Sequence, residues 1–351
     1  MGTWVPRRTA RIAILGAVLF GAGAAWINLA AAAAGSAAWP TAGLILMSGL
    51  MVGVCWVAAS RRPPLVPAAI VGVAAGLVVA DLGSTLRYDA MMGPFGYANA
   101  SAAFMVQAII GALMLMAATH TGIVRVGGAI ACALFMLAVI ATRSWTAAVM
   151  LPVVVIAALL VQRTHGSRAA VMVCGALFGT VLVLTIALGA VGPGTGPSPL
   201  DRAVRATISE QRVVLWGEAL ALAAEDPLLG VGPGRFASTS PTASSDDDLR
   251  WAHHEFLQAG AESGLLGYLF AVGVFLWGFA SLWLRSPSRL GWLAAAGLAL
   301  LGIHASVDYV LHFPAVALIG AAVLGAGLGT PRDEPIATPR TVEPVSAHGW
   351  A

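Results

Sequence analysis

The sequence contains no lysine, and all 19 of its basic side chains are arginine. Charge of either sign is scarce: 10% of the 351 residues are charged, against roughly 25% in soluble domains. A net charge of +3, scattered along the chain, excludes the dense basic footprint that nucleic acid requires. No nucleic-acid partner is expected. The three cysteines, Cys55, Cys132 and Cys174, stand in apolar runs without CxxC spacing. They exclude a disulfide framework and a thiolate metal site, and read as small core hydrophobes. An internal repeat of solenoid or inverted-transporter type is also missing.

Apolar surface is what the chain has in quantity. Hydrophobic residues make up 59% of it and the mean hydropathy is +0.86, so the bilayer is its solvent. A membrane-spanning helix needs roughly 20 mainly apolar residues. Such runs lie near 12–34, 40–60, 64–86, 97–118, 124–142, 144–162, 169–191, 264–284, 290–312 and 313–330. The predicted fold class is all-α, a polytopic integral membrane helical bundle of about ten transmembrane helices with a large extracytoplasmic loop. Helices one to seven fill 1–191, the loop 192–263, helices eight to ten 264–330, and a disordered cytoplasmic tail 331–351. Arg7 and Arg8 before an apolar run imitate a secretory signal, but the run is too long for the usual h-region and nine more follow.

Arginines in short loops set the orientation. With the N-terminus cytoplasmic, Arg7, Arg8, Arg11, Arg61, Arg62, Arg125, Arg163, Arg168, Arg285, Arg289, Arg332 and Arg340 all fall inside. The short outer loops then hold only Arg87 and Arg143. Both termini are expected inside and the 192–263 loop outside.

A loop of that length is functional or disordered, and this one carries structural signals. Ser198-Pro199-Leu200-Asp201 offers a cap, a proline at the first helical position and a carboxylate in the first turn. Val204, Ile208, Leu215, Ala219 and Leu222 follow at helical spacing, and Pro227 ends the element at Asp226. An amphipathic helix over about 199–225 is predicted. Arg212 lands about 40° from Ile208, inside the apolar stripe. It either snorkels to lipid phosphates or holds a guanidinium toward a cavity to grip an anion.

Downstream, Gly230-Val231-Gly232-Pro233-Gly234 lacks the Lys-Ser/Thr ending of a phosphate loop and reads as a tight turn. Asp246-Asp247-Asp248 reads as a solvated loop rather than a cation site. His253 and His254, with Glu255 and Glu262 beside a membrane entrance, form a candidate proton-transfer group. Adjacent imidazoles are a poor zinc pair, since helical chelation wants i and i+4. His304, Asp308 and His312 recur at i, i+4 and i+8 in the last outer hairpin, either as a functional group or as a lock on the bundle.

These segments, in this order, resemble the O-antigen ligase and polymerase family. The resemblance rests on Arg212 and Trp216, on Asp226-Pro227-Leu228-Leu229-Gly230-Val231-Gly232-Pro233-Gly234-Arg235-Phe236, on the histidine pair with Phe256-Leu257-Gln258, and on Glu262-Ser263-Gly264-Leu265-Leu266-Gly267. Pro94-Phe95-Gly96-Tyr97-Ala98-Asn99-Ala100 and His304 with Asp308 add to it. Spacing to Gly264 and Gly267 matches His253 to the family's histidine, and His254 occupies the family's usual amide position. The family's Ser-Arg pair corresponds here to Thr142-Arg143-Ser144.

The resemblance implies a membrane glycosyltransferase of cell-envelope polysaccharide assembly. It would take glycan from a polyprenyl-diphosphate (undecaprenyl-diphosphate type) donor to an acceptor hydroxyl on the outer face, with no cofactor and no metal. His253 would be catalytic, and Arg212, Arg143, His254, Arg235, Asp308 and His304 would bind substrate. The implied partners are the lipid-linked donor, a glycan or lipid acceptor and membrane lipids; the implied location is the inner (cytoplasmic) membrane. The motifs do not separate ligase from polymerase. The reading from a different class is a secondary transporter of a small anion such as bicarbonate, which would place charge at mid-span on broken helices.

Overall fold

A computed structural model describes residues 5–37, 39–88, 91–163, 167–193, 208–285 and 288–330. Every long element among them is a helix and none is a strand. Seven helices come first: α1 (Val5–Ala34), α2 (Trp39–Arg61), α3 (Leu65–Tyr88), α4 (Ala98–Ala118), α5 (Gly122–Ala141), α6 (Trp145–Arg163) and α7 (Arg168–Val191). The loop helix α8 (Glu210–Glu225) precedes short helical turns at Phe236–Thr239 and Pro241–Ser245. Then come α9 (Glu255–Arg285), α10 (Arg289–Ala305) and α11 (Pro314–Gly329).

Each of the ten apolar runs read from the sequence overlaps one of these helices, the run 290–312 only as far as Ala305. Six of them are long and apolar enough to cross a membrane: Thr9–Ala34, Pro40–Arg61, Ala98–Ala118, Gly122–Ala141, Arg168–Val191 and Glu255–Arg285. The stretches Leu65–Asp81, Trp145–Ile156, Arg289–Ala305 and Pro314–Gly329 are shorter apolar helices. The centre of the bundle is α4, buried without interruption from Ala100 to Leu115, as a helix apolar on every side must be. Close approach elsewhere uses missing side chains. A Cβ on Gly325 of α11 would lie 2.5 Å from the Val52 carbonyl of α2, so the two backbones touch there.

Three boundaries differ from the sequence reading. The amphipathic helix begins at Glu210, capped by the Ser209 hydroxyl on Arg212 N–H; the expected start at 199 and the Ser198 cap lie outside the described residues, as does the 331–351 tail. Helix α9 starts ahead of the expected span and breaks at Ser263 and Gly264, which are non-helical. The last hairpin departs most. Helix α10 stops at Ala305, so Asp308 and His312 lie beyond it, and the i, i+4, i+8 stripe with His304 does not exist. Pro314 disfavours helix at the residue before it, and the Asp308 carboxylate accepts its neighbour Tyr309 N–H at 2.8 Å, competing with helical bonding.

The loop residues have a core of their own. Val213, Leu215, Trp216, Ala219 and Leu222 on α8 pack with Phe236, Ala243, Ala252, Leu257 and Ala261.

Candidate active site

Two stretches of the loop region are riveted together before any side chain with chemistry is placed. The turn after α8 lies along the break in α9: Val231 N–H donates to Ala261 O at 2.9 Å, Gly232 N–H to Glu262 O at 3.0 Å, and Leu265 N–H to Pro227 O at 2.8 Å. Gly264 has φ +68°, and a Cβ on it would run into the Leu228 carbonyl; only glycine fits both demands. Glu262 closes the turn, its carboxylate accepting Gly234 N–H at 2.9 Å, Phe236 N–H at 3.2 Å and Gln258 Nε2–H at 3.2 Å. Arg235 donates to the carbonyl of Ala34 at 3.0 Å, a cation on the C-terminal end of α1 where the helix dipole favours it.

On this frame the chain enters α9 through His253, whose φ of +50° is uncommon outside glycine though tolerated by histidine. The His253 carbonyl is held by Trp216 Nε1–H at 3.2 Å. Its Nδ1 lies 3.0 Å from Asp308 Oδ1. With Asp308 ionised, Nδ1 carries the hydrogen and Nε2 bears the lone pair, and Nε2 has no partner among the described residues. Tyr309 packs edge-on against the ring, 4.8 Å between centroids.

Asp308 is the hub. It is fully buried and accepts from His253, from Tyr97 Oη–H at 2.9 Å, from Asn99 Nδ2–H and from its own neighbour Tyr309 N–H. Arg212 adds Nη2 at 3.3 Å and donates Nη1–H to Val307 O at 2.9 Å. Burial alone would raise this carboxyl, but the His253 hydrogen bond and the Arg212 charge outweigh it and hold it well below the usual carboxylate range. Burial, and after it the same carboxylate, pushes the Tyr97 phenol up. Asp308 is thus ionised at any working pH, and its negative charge is shared between a guanidinium and an imidazole.

His254 faces the other way. It is completely buried; Nδ1 accepts Leu257 N–H at 3.2 Å and Nε2 lies 2.9 Å from Thr185 Oγ1 on α7. Because Nδ1 accepts, Nε2 carries the hydrogen and donates to Thr185, whose hydroxyl serves Val181 O or Leu182 O at 3.0 Å. Burial pushes its pKa down to about 3. Both ring nitrogens are engaged by protein groups, and the Nδ1 contact caps α9. His304 is buried in the last turn of α10 with Nε2 unpartnered among the described residues. Arg143 stands exposed in the α5–α6 turn with φ +57°, where Met91 N–H bonds to the Ala141 carbonyl and ties that turn to the segment carrying Tyr97.

Tyr97, Asn99 and Gln258 were quoted in the sequence reading without a role, and Glu255 was read only as part of a proton-transfer group. Tyr97 and Asn99 stand at the opening of the mostly apolar helix α4, which also carries Ser101 and Gln107, and that position was the available signal. Glu255 accepts Leu311 N–H at 2.6 Å and His312 N–H at 3.1 Å and pairs with His312 Nδ1; although burial opposes it, that carboxylate raises the His312 pKa. Gln258 spans Ala252 N–H and Glu262. These contacts clamp the last hairpin on the entrance of α9, so that Asp308 meets His253 across 55 residues of chain.

The family profile described as O-antigen ligase matches residues 107–272. Over that segment the chain carries an O-antigen ligase-family domain. The matched segment of this O-antigen ligase-like membrane enzyme runs from inside α4 to inside α9 and contains Arg143, Arg212, Arg235, His253 and His254. Its buried hub, Asp308, lies outside the matched segment, as do Tyr97 and Asn99. No curated protein matches the chain in a sequence comparison.

Proposed function

We propose that this O-antigen ligase-family enzyme transfers glycan from a polyprenyl-diphosphate carrier to an acceptor hydroxyl, at the outer face of the cytoplasmic membrane, with all ten apolar helices as spans. The observation that carries the reading is the Arg212–Asp308–His253 arrangement. Asp308 orients His253 so that Nε2 faces away from it as a base. The acceptor hydroxyl gives its proton to Nε2 as its oxygen bonds the anomeric carbon. The bond from that carbon to the diphosphate oxygen breaks, and the electron pair leaves with the polyprenyl diphosphate. Proton abstraction by a placed side chain contributes typically about 10²–10⁴-fold.

Arg212 spends two of five N–H groups on Val307 and Asp308. The remaining ones suit the leaving diphosphate, where developing charge is stabilised most. Arg143 and Arg235, both exposed, are assigned to the approach of the same anion. Asp308 and His304 are assigned to positioning rather than to substrate contact, since both are buried. The anion-transporter reading has no observation in its favour.

The test is to incubate purified protein with a lipid-diphosphate-linked oligosaccharide and follow chain growth and release of polyprenyl diphosphate. His253→Ala is expected to remain folded with turnover lowered about 10²–10⁴-fold. Arg212→Lys keeps the charge but loses the planar fork, and is expected to cost about 1–3 kcal/mol of transition-state binding. Wild-type turnover in both variants would refute the reading.

A further inference from the structure

A second feature lies at the other end of the bundle. The outer-loop contacts fix the C-terminal end of α1 beside the site, through Arg235 on Ala34 and Trp26 Nε1–H on Ser263 O at 2.8 Å. The N-terminal half of α1 therefore sits far from it, joined to the distal end of α9 by Trp277 Nε1–H on Ile12 O and Arg285 on Thr9 Oγ1. There α1, α2 and α9 flank an open groove of about 1090 Å³, just above the roughly 300–1,000 Å³ typical of ligand clefts.

Its construction is asymmetric. Gly16 and Gly49 are filled by the neighbouring rings of Trp277 and Phe20, whereas a Cβ on Gly21 or Gly53 would meet nothing within 4 Å. Those two glycines leave the trough empty rather than packed. The wall toward the outside is apolar and exposed, Leu50 at 67% and Val54 at 56%. The mouth is cationic: Arg61 and Arg62 line it. Behind Trp56, which also lines it, the Arg285 guanidinium stands 4.9 Å from the indole, its buried Nε without a hydrogen-bond partner. Among the described residues no carboxylate pairs with any of the three.

An apolar trough opening on guanidiniums that no carboxylate among the described residues pairs, set between transmembrane helices, has the chemistry of a headgroup pocket for an anionic lipid. We propose that this groove binds an anionic diacyl phospholipid, one chain lying over Gly21 and Gly53 and the phosphate held by Arg61 and Arg62. The proposal is independent of the transfer reaction.

The full-length protein in detergent is titrated with dioleoylphosphatidylglycerol or dioleoylphosphatidylcholine, and thermal unfolding and retained lipid by native mass spectrometry are recorded. Phosphatidylglycerol should raise the unfolding temperature and be retained, and phosphatidylcholine should do much less. Gly53→Leu, placed in open space, should abolish the phosphatidylglycerol shift. The exposed pair Arg61→Gln with Arg62→Gln should weaken phosphatidylglycerol about 30-fold, from the usual strength of two arginines at an anionic surface. Equal shifts from the two lipids in the wild type would overturn the proposal. So would an unchanged phosphatidylglycerol response in the arginine pair, or a stronger shift with undecaprenyl phosphate.

Discussion

At the scale of single residues, the two adjacent histidines separate by environment. His254 is buried and neutral, with its folded pKa near 3 against about 6.5 in an unfolded chain. A depressed folded value on a base means that the unfolded state takes up the proton first. The stability tied to a neutral His254 is therefore complete above about pH 6.5 and is lost as pH falls toward 3. At pH 5 the loss amounts to about 2 kcal/mol, from 1.5 units at about 1.4 kcal/mol each. His254→Asn should flatten that acid limb, measured as unfolding temperature at pH 7 and pH 5; an equally steep limb would reject the assignment. Asp308→Asn tests the other histidine. It should lower turnover at least about 10²-fold, because the amide cannot orient His253 Nδ1–H as the carboxylate does, while His254→Asn should leave turnover close to wild type.

At the scale of elements, the paired turns at Gly230–Gly234 and Ser263–Gly264 carry the site. Both Gly234 and Gly264 have positive φ, but a Cβ on Gly234 meets open space and one on Gly264 enters the Leu228 carbonyl. Gly234→Ala is expected to cost about 1–2 kcal/mol, the left-handed penalty alone. Gly264→Ala must also pry the 227–232 turn off α9, so it should cost clearly more. The comparison is read from denaturation of the two variants side by side, and similar stabilities would mean that the riveted turn is not rigid. Trp216 is fully buried between α8 and the His253 backbone, and truncating it to alanine should cost about 3–5 kcal/mol.

At the scale of the molecule, the proposed sidedness follows the arginine distribution, and the loop contacts set which end is which. Ser244 is exposed on the loop, while Cys55 and Cys132 are buried and Cys174 is partly buried. In intact cells Ser244→Cys should react with an impermeant thiol reagent. Labelling seen only after lysis would invert the proposed topology. The same frame keeps the two proposed ligand sites apart, with the transfer site at the α1 C-terminal end and the lipid groove at its N-terminal half.

Apolar runs, caps and prolines are local quantities, so the all-helical bundle, the end of α8 before Pro227 and the family's loop segments were legible in the order of residues. Helix ends that depend on partners were not: α10 stops at Ala305, where periodicity ran on to His312. The roles within the site were less legible still. Arg212 in an apolar stripe and His253 at its spacing from Gly264 could be singled out, but not the carboxylate that joins them. Asp308 acquires its meaning from Tyr97, Asn99, Arg212 and His253, which stand up to 211 positions away in sequence. Side-chain chemistry is written residue by residue, whereas burial, and with it charge state and orientation, exists only once distant segments exclude water from a shared point.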